Sequence, residues 1–252
     1  MNLAYLILEN YNPSISARER ITSLIESSKL SNPTIQILKA TLHFRQSNFK
    51  RVNKILSLIG IEKLNDYSKL KIERLQFMMK TERVFHPEQL SLIHNPSKIY
   101  TDVNRFELCR PYLHIATLYY SFKEYFLAIE HYQESIRINT EVSCLNLIYI
   151  FDCLYELNRL NEFENYSKIS DLHLNKFTQL HRDIREFCLA LSNNFSTILD
   201  SAILNSLITN LSILNKESPY IHIIRKHLLL NIAMTHKYKI IYDFEKTINN
   251  TK

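Results

Sequence analysis

Residues 109–142 read CRPYLHIATLYYSFKEYFLAIEHYQESIRINTEV, and this stretch decides the fold that the sequence predicts. Its apolar side chains return every three or four positions, which is the period of an amphipathic α-helix. Pro111 suits the first turn of a helix, where no backbone N–H is needed. The stretch therefore predicts two consecutive α-helices that pack against each other. Their inner faces would carry Ile115, Ala116, Tyr119 and Tyr120 on the first helix, and Ala128, Tyr132, Ser135 and Ile136 on the second.

The order of residue types in this stretch resembles the tetratricopeptide repeat, a helix–turn–helix unit of 34 residues. With Cys109 as the first position, the small, aromatic and alanine positions of that repeat are filled by Ala116, Tyr119, Ala128, Tyr132 and Ser135. The chain departs from the pattern at Tyr112, where Trp is usual, and at Thr140, where Pro is usual. The resemblance implies an all-α fold, a right-handed α-solenoid of antiparallel helix pairs.

The spacing of this unit recurs more faintly along the chain. An aromatic residue or Leu opens each predicted second helix, and a packing residue follows three positions later. The pairs are Phe49 with Val52, Tyr125 with Ala128, Leu160 with Phe163, Phe195 with Ile198 and Tyr238 with Ile241, and Phe85 is a further candidate opener. Because such units bury their apolar faces only by stacking, we expect one repeat domain over residues 1–252. A helical bundle without true repeats is the alternative that this spacing leaves open.

Composition excludes several classes of enzyme. The 252-residue chain contains a single glycine, Gly60, whereas phosphate-binding loops and the nucleophile elbow need several. The four cysteines include no CxxC pair, and the ten histidines form no HExxH motif, so the sequence indicates no metal and no cofactor. A catalytic triad forms in space and is not excluded by sequence, which leaves an enzyme of unrecognised type as an alternative. We predict a protein that is not an enzyme.

Charge and hydropathy predict where the chain acts. The formal net charge of +6 is spread along the sequence rather than concentrated in one arm, so we do not expect this chain alone to bind nucleic acid. The apolar stretch from Leu3 to Leu8 lacks a basic flank and ends at Glu9, unlike a signal peptide. No run approaches the ~18 apolar residues of a membrane span. We therefore expect no membrane insertion and a cytoplasmic protein with free cysteines.

The resemblance also implies a binding surface on the concave face, which the first helices line. The implied positions are Thr41, Phe44 and Arg45 in the unit that begins at Pro33, Arg110, His114, Thr117, Tyr120 and Ser121 in the clear unit, and Asp152 and Tyr155 in the next. Leu113 and Thr117 replace the Lys and Asn that clamp a C-terminal carboxylate in chaperone-binding members. The mixture of rings, hydroxyls and isolated charges suits an extended or helical peptide.

These observations predict a protein- or peptide-binding scaffold, an adaptor or regulator that works through a concave helical groove. The alternative is the sensor part of a peptide-responsive transcription regulator, a family in which similar repeats follow a helix-turn-helix module. Residues 1–30 lack the turn glycine and the basic recognition helix of that module. The sequence does not name the protein or peptide ligand, and a homodimer is compatible with the predicted architecture.

Overall fold

A computed structural model of the chain describes residues 15–27, 32–100, 102–139, 146–171, 179–193, 201–211 and 219–235, together with 242, 244–246 and 249. These residues form twelve α-helices and three short 3₁₀-helices, and they contain no β-strand. The α-helices are α1 (Ile15–Ser27), α2 (Pro33–Arg45), α3 (Phe49–Leu56), α4 (Asp66–Thr81), α5 (Glu88–Ser91), α6 (Arg105–Ser121), α7 (Tyr125–Ile138), α8 (Leu147–Glu156), α9 (Phe163–Asp171), α10 (Gln179–Asn193), α11 (Ser201–Leu211) and α12 (Pro219–Thr235). The prediction of a helical chain is confirmed.

Contacts divide the chain into two compact units, Met1–Glu107 and Leu108–Lys252. The first unit contains α1 to α5 and the first residues of α6, and the second unit contains the rest of α6 and the helices that follow. The single repeat domain over residues 1–252 stays a prediction, and so does its right-handed superhelical arrangement.

In the first unit, α2 and α3 form a helix pair that begins at Pro33, and Phe49 opens its second helix as the sequence predicts. The Asn32 side chain caps α2 by accepting a hydrogen bond from the Thr34 backbone N–H at 2.9 Å. Apolar residues of both helices meet in one core with residues of α1 and α4, and these are Ile25, Ile37, Leu38, Ala40, Leu42, Val52, Ile55, Leu56, Ile59, Ile72, Leu75 and Met79. The apolar faces of both helices are therefore buried.

A buried ion group holds α4 against the start of α6. The Lys71 ammonium lies 2.8 Å from one oxygen of Glu107, and the Arg74 guanidinium donates to the other oxygen. All three side chains are withdrawn from water, and a carboxylate in such surroundings is stable only when donors satisfy its oxygens. Nothing in the apolar period of the sequence indicated this group.

The same turn connects the first and second helices of three pairs. Ser47, Lys123 and Asn158 each adopt a left-handed conformation, with φ of 55°, 64° and 57°, two residues before Phe49, Tyr125 and Leu160. In each turn the next residue's N–H reaches a carbonyl five residues back, as from Glu124 to Tyr119 at 2.9 Å. This is the Schellman motif, which usually places Gly at the left-handed position. The turns after Lys123 and Asn158 are separated by 35 residues, the period predicted for the repeat.

The predicted helix pair at residues 109–142 is confirmed by α6 and α7. The five residues that carry the tetratricopeptide resemblance are all buried, and they are Ala116, Tyr119, Ala128, Tyr132 and Ser135. The two helices contact each other through rings, since Tyr119 lies 5.3 Å and Tyr112 lies 6.3 Å from the His131 ring, measured between centroids. The resemblance thus follows the core of this pair.

Some of the residues that are predicted to open a second helix do begin one in the structure, and Phe85 does not. Phe49 and Tyr125 begin α3 and α7, and Leu160 begins a 3₁₀ turn that continues into α9 at Phe163. Phe85 does not open a second helix: it lies before the four-residue helix α5, with 77% of its side chain exposed. The pairs predicted at Phe195 and Tyr238 lie outside the described residues.

Helix α8 occupies the centre of the second unit. Every residue from Leu147 to Leu154 is buried, so the helix has no solvent face over two turns. It packs against α7, α9, α10 and α12, and an α-helix that is covered on all sides is part of a core. Cys153 of α8, like Cys109 and Cys188, is a buried cysteine.

The turn geometry predicts a stabilising substitution. Lys123→Gly should raise the free energy of unfolding by about 1 kcal/mol, because Gly tolerates positive φ without the steric cost that a side chain brings. Glu130→Gly, at an exposed position inside α7, is the matched control and should lower it by about 1 kcal/mol. Urea denaturation of the two variants measures both changes. A loss of stability in Lys123→Gly would contradict the assigned turn.

Candidate functional site

In the first unit, the three predicted groove residues are presented differently. Thr41 is buried, and its hydroxyl donates to the Ile37 carbonyl at 2.9 Å. Phe44 packs against the core and contacts the Phe49 ring, 5.7 Å between centroids. Arg45 is exposed at the last residue of α2. Of these three residues, Arg45 alone is exposed.

In the second unit, α6 carries five of the predicted groove residues. Thr117 and Ser121 are exposed, and Arg110 and His114 are half-buried. Their spacings of four, three and four residues place these four side chains on one side of the helix. We call this surface the α6 face, defined by Arg110, His114, Thr117 and Ser121. Tyr120 is half-buried and is directed at a different neighbour, the carboxylate of Asp152.

Asp152 is the centre of a polar cluster that joins three helices. It lies on α8 with 1% of its surface exposed. One carboxylate oxygen, Oδ1, accepts from Lys226 Nζ and from His227 Nε2, each at 2.7 Å. The other oxygen, Oδ2, accepts from the Tyr120 hydroxyl. The carboxylate therefore connects the central helix α8 to α6 on one side and to α12 on the other.

Rings and a second acid surround these hydrogen bonds. His227 is fully buried, with its ring 4.7 Å from Phe151 and 5.0 Å from Tyr155. Lys226 also pairs with Glu156 and lies 5.3 Å from the centre of the Tyr155 ring. About a third of the Lys226 and Glu156 side chains is exposed, so these two residues bring the cluster to the surface at this end.

The hydrogen bonds decide which groups of the cluster are charged. Burial alone would raise the pKa of Asp152, but the bonds from His227, Lys226 and Tyr120 outweigh burial and lower it to about 2. Burial lowers the pKa of His227 below its usual value, despite the attraction of Asp152. At neutral pH the cluster therefore contains an ionised Asp152 and a neutral His227. A neutral ring beside an ionised carboxylate must carry its proton on Nε2, the atom that faces Asp152.

A tyrosine stack continues from Tyr120 through the second unit. Tyr149 of α8 lies edge-on to Tyr120 at 5.3 Å and to Tyr220 of α12 at 5.4 Å, and it stacks on Tyr132 of α7 at 5.1 Å. The Tyr220 hydroxyl donates to Asn146 Oδ1 at 3.3 Å. Four helices are thus held together by ring contacts beside the Asp152 carboxylate.

The structure brings together three of the predicted groove residues: Tyr120 donates to Asp152, and Tyr155 flanks the same cluster. It covers Asp152 with α12, whose Lys226 and His227 lie 74 and 75 residues further along the chain. Sequence reasoning missed both donors. The signal was weak, a Lys-His pair inside an apolar helix, and only the packing of α12 on α8 shows what the pair contacts.

Comparisons of the chain with protein-family models, with curated proteins and with solved structures found no match. The tetratricopeptide resemblance therefore stays a prediction that rests on residues 109–142. None of the described helices is long and apolar enough to cross a membrane. Within the same residues, no group of three or more His, Cys, Asp or Glu is placed to hold a metal ion.

The arrangement separates two roles within the predicted groove. Asp152 and its donors bond to one another inside the second unit and hold α6, α8 and α12 together, and the buried side chains of Asp152 and His227 present no surface to a partner. The α6 face lies at the surface, and each of its hydroxyls donates its proton to a carbonyl of the same helix: Thr117 to Leu113 at 2.9 Å and Ser121 to Leu118 at 2.7 Å. The α6 face is the candidate binding site.

The structural role of Asp152 predicts a large loss of stability when its charge is removed. Asp152→Asn should lower the free energy of unfolding by about 3 kcal/mol or more, because an amide cannot accept from all three donors or compensate Lys226. Asp66→Asn removes an exposed carboxylate, 3.5 Å from Lys69, and is the control that should change stability by less than about 0.5 kcal/mol. Urea denaturation would contradict this role if the two variants lost equal stability.

Proposed function

We propose that this protein is a protein- or peptide-binding scaffold of the tetratricopeptide kind, a right-handed array of helix pairs that acts as an adaptor or regulator in the cytoplasm. The proposal is supported by the two helix pairs α6–α7 and α8–α9, whose turns share one geometry at a separation of 35 residues. The first helix of such a pair is the element that carries ligand-binding positions in the family that the chain resembles.

The α6 face is the surface that we assign to the partner. The observation that carries this assignment is the contrast between the two first helices: α8 is covered on all sides, whereas α6 presents Thr117 and Ser121 to solvent beside Arg110 and His114. Side chains on one side of a helix define a strip along which an extended or helical peptide can lie. The polar strip therefore contacts a bound segment over several residues and fixes its alignment along α6.

The chemistry of the α6 face indicates the kind of segment that it would bind. The Arg110 guanidinium suits a carboxylate or a row of carbonyl oxygens, since it offers several N–H donors in one plane. The hydroxyl oxygens of Thr117 and Ser121 accept hydrogen bonds from peptide N–H groups. A segment with an acidic residue and accessible backbone amides matches this set. The sensor part of a transcription regulator would use the same surface, with the peptide as its signal.

Tyr120 has a different place in this proposal from the other groove residues. Its hydroxyl is bonded to Asp152, and its ring contacts Tyr125 at 6.1 Å and Tyr149 at 5.3 Å. Truncation of Tyr120 would therefore weaken the packing of α6 on α8 as well as any contact with a ligand. Substitutions on the α6 face avoid this mixture of effects.

Site-specific photo-crosslinking in the native host tests the proposal. A photoreactive amino acid at Thr117 or Ser121 should capture the same polypeptide, because both positions face one bound segment. The matched control is Glu130, an exposed position of α7. Arg110→Ala should reduce the capture at Thr117 by about tenfold if it removes a charged contact of 1.4 kcal/mol or more. Equal capture at Glu130, or none at Thr117 and Ser121, would contradict the proposal.

A further inference from the structure

The net positive charge of the chain is concentrated in one stretch of the first unit. Residues 27–61 contain six Lys or Arg residues and no Asp or Glu. The whole chain has 31 Lys and Arg and 25 Asp and Glu, so the rest of the chain is neutral overall. The expectation of a charge spread along the sequence is therefore wrong. The net charge of +6 belongs to α2, α3 and the residues next to them.

Three of these cations lie together on the exposed side of α3. Lys50, Arg51 and Lys54 are exposed, whereas the apolar residues of the same helix are buried in the core of the first unit. Spacings of three and four residues place the three side chains on one side of the helix. In the described part of the chain, no ion pair includes any of the three. Their charges therefore face solvent without a neighbouring carboxylate to compensate them.

Exposed aliphatic side chains adjoin these cations. Leu58 is 63% exposed and Ile61 is 44% exposed, directly after the end of α3. The chain keeps a helical turn here, since the Leu58 N–H donates to the Ile55 carbonyl at 3.1 Å. Leu58 therefore lies on the same side as Lys54, four residues earlier. Arg45, exposed at the last residue of α2, adds a fourth cation at the turn that leads into α3.

We propose that this surface docks on a membrane of anionic lipids. We call it the α3 face, defined by Lys50, Arg51, Lys54 and Leu58. The proposal goes beyond the function proposed above and does not depend on it, because the α3 face belongs to the first unit and the α6 face to the second. Docking of this kind takes place at the head-group layer and needs no membrane-spanning helix.

The charge of the α3 face matches a layer of anionic head groups. A cation close to such a layer strengthens binding by about fivefold, so the three cations of α3 together contribute about a hundredfold. A lipid surface attracts the three side chains without holding each in one rotamer. The carboxylates of a protein partner would have to hold three long side chains in one geometry, at a cost in conformational entropy. Unpaired and exposed cations of this length therefore suit the lipid surface better.

The aliphatic side chains favour a lipid surface over a nucleic acid. Lys and Arg bind the phosphates of both, but the phosphate and sugar groups of a nucleic acid offer little apolar surface to Leu58 or Ile61. Between lipid head groups, an aliphatic side chain reaches the boundary of the acyl chains. Stable binding to a membrane surface usually requires electrostatic attraction and apolar contact together. The α3 face and its neighbour Ile61 supply both.

Co-sedimentation of the full-length chain with lipid vesicles tests the proposal. The wild type should bind vesicles that contain phosphatidylglycerol and should not bind vesicles of phosphatidylcholine alone. Binding should weaken as the salt concentration rises, because salt screens exposed charges. The triple variant Lys50→Gln, Arg51→Gln and Lys54→Gln should bind about a hundredfold more weakly.

Two further variants separate the α3 face from net charge alone. The matched control replaces Lys80, Arg83 and Lys98 with Gln, which removes the same charge from exposed positions of the same unit. It should keep most of the vesicle binding. Leu58→Gln leaves the charge unchanged and should weaken vesicle binding several-fold, because it removes the apolar contact.

Equal losses in the two triple variants would overturn the proposal, and so would a wild type that does not bind the anionic vesicles. Tighter binding to a duplex DNA oligonucleotide than to the vesicles, unchanged in Leu58→Gln, would overturn it in favour of a nucleic acid. The substituted side chains are exposed, so urea denaturation should show unchanged stability. If the triple variant does not fold, Lys54→Gln decides: it should weaken vesicle binding about fivefold, and Lys80→Gln should not. Equal binding of these two single variants would overturn the proposal.

Discussion

A carboxylate inside a protein must be surrounded by donors, and this requirement organises the second unit. Asp152 stands in the middle of LIYIFDCLYE, the only acid within a helix that is otherwise apolar or aromatic until Glu156. Burying α8 on all sides therefore forces neighbouring helices to supply hydrogen-bond donors at one point. α6 supplies the Tyr120 hydroxyl as a donor, and α12 supplies Lys226 and His227. The position of both helices follows from the needs of one side chain.

Local features of the fold were predictable because they depend on neighbours in sequence. Helix pairs follow from apolar period, and the turns at Ser47 and Lys123 fall where that period is interrupted. The five residues of the tetratricopeptide pattern in 109–142 are buried, since small and aromatic residues at those positions pack where two helices meet. Ser, Lys and Asn occupy the left-handed position of the three described turns. These turns therefore form without glycine, of which the chain has only one.

Long-range contacts were not predictable from the same patterns. The repeat spacing indicates the order of the helices along the chain. It does not indicate that α12 covers Asp152, which lies 74 residues before Lys226 in the sequence. Asp152 and Tyr155 were assigned to a groove because their positions match ligand-binding positions of an open array. In the structure, α12 occupies the space beside them. Phe85 shows the opposite failure, since its spacing resembles a repeat position but no helix begins there.

These findings divide the predicted groove into a structural part and an accessible part. The structural part is the Asp152 cluster, and its carboxylate is the group that can be observed most directly. Carbon-13 NMR of the Asp152 side-chain carboxyl group measures its ionisation in the folded chain. We predict that this carboxyl stays ionised as the pH falls through 4, for as long as the chain remains folded, because its pKa is held at about 2. A titration midpoint near the ordinary value of about 3.9, or above it, would contradict the proposed cluster.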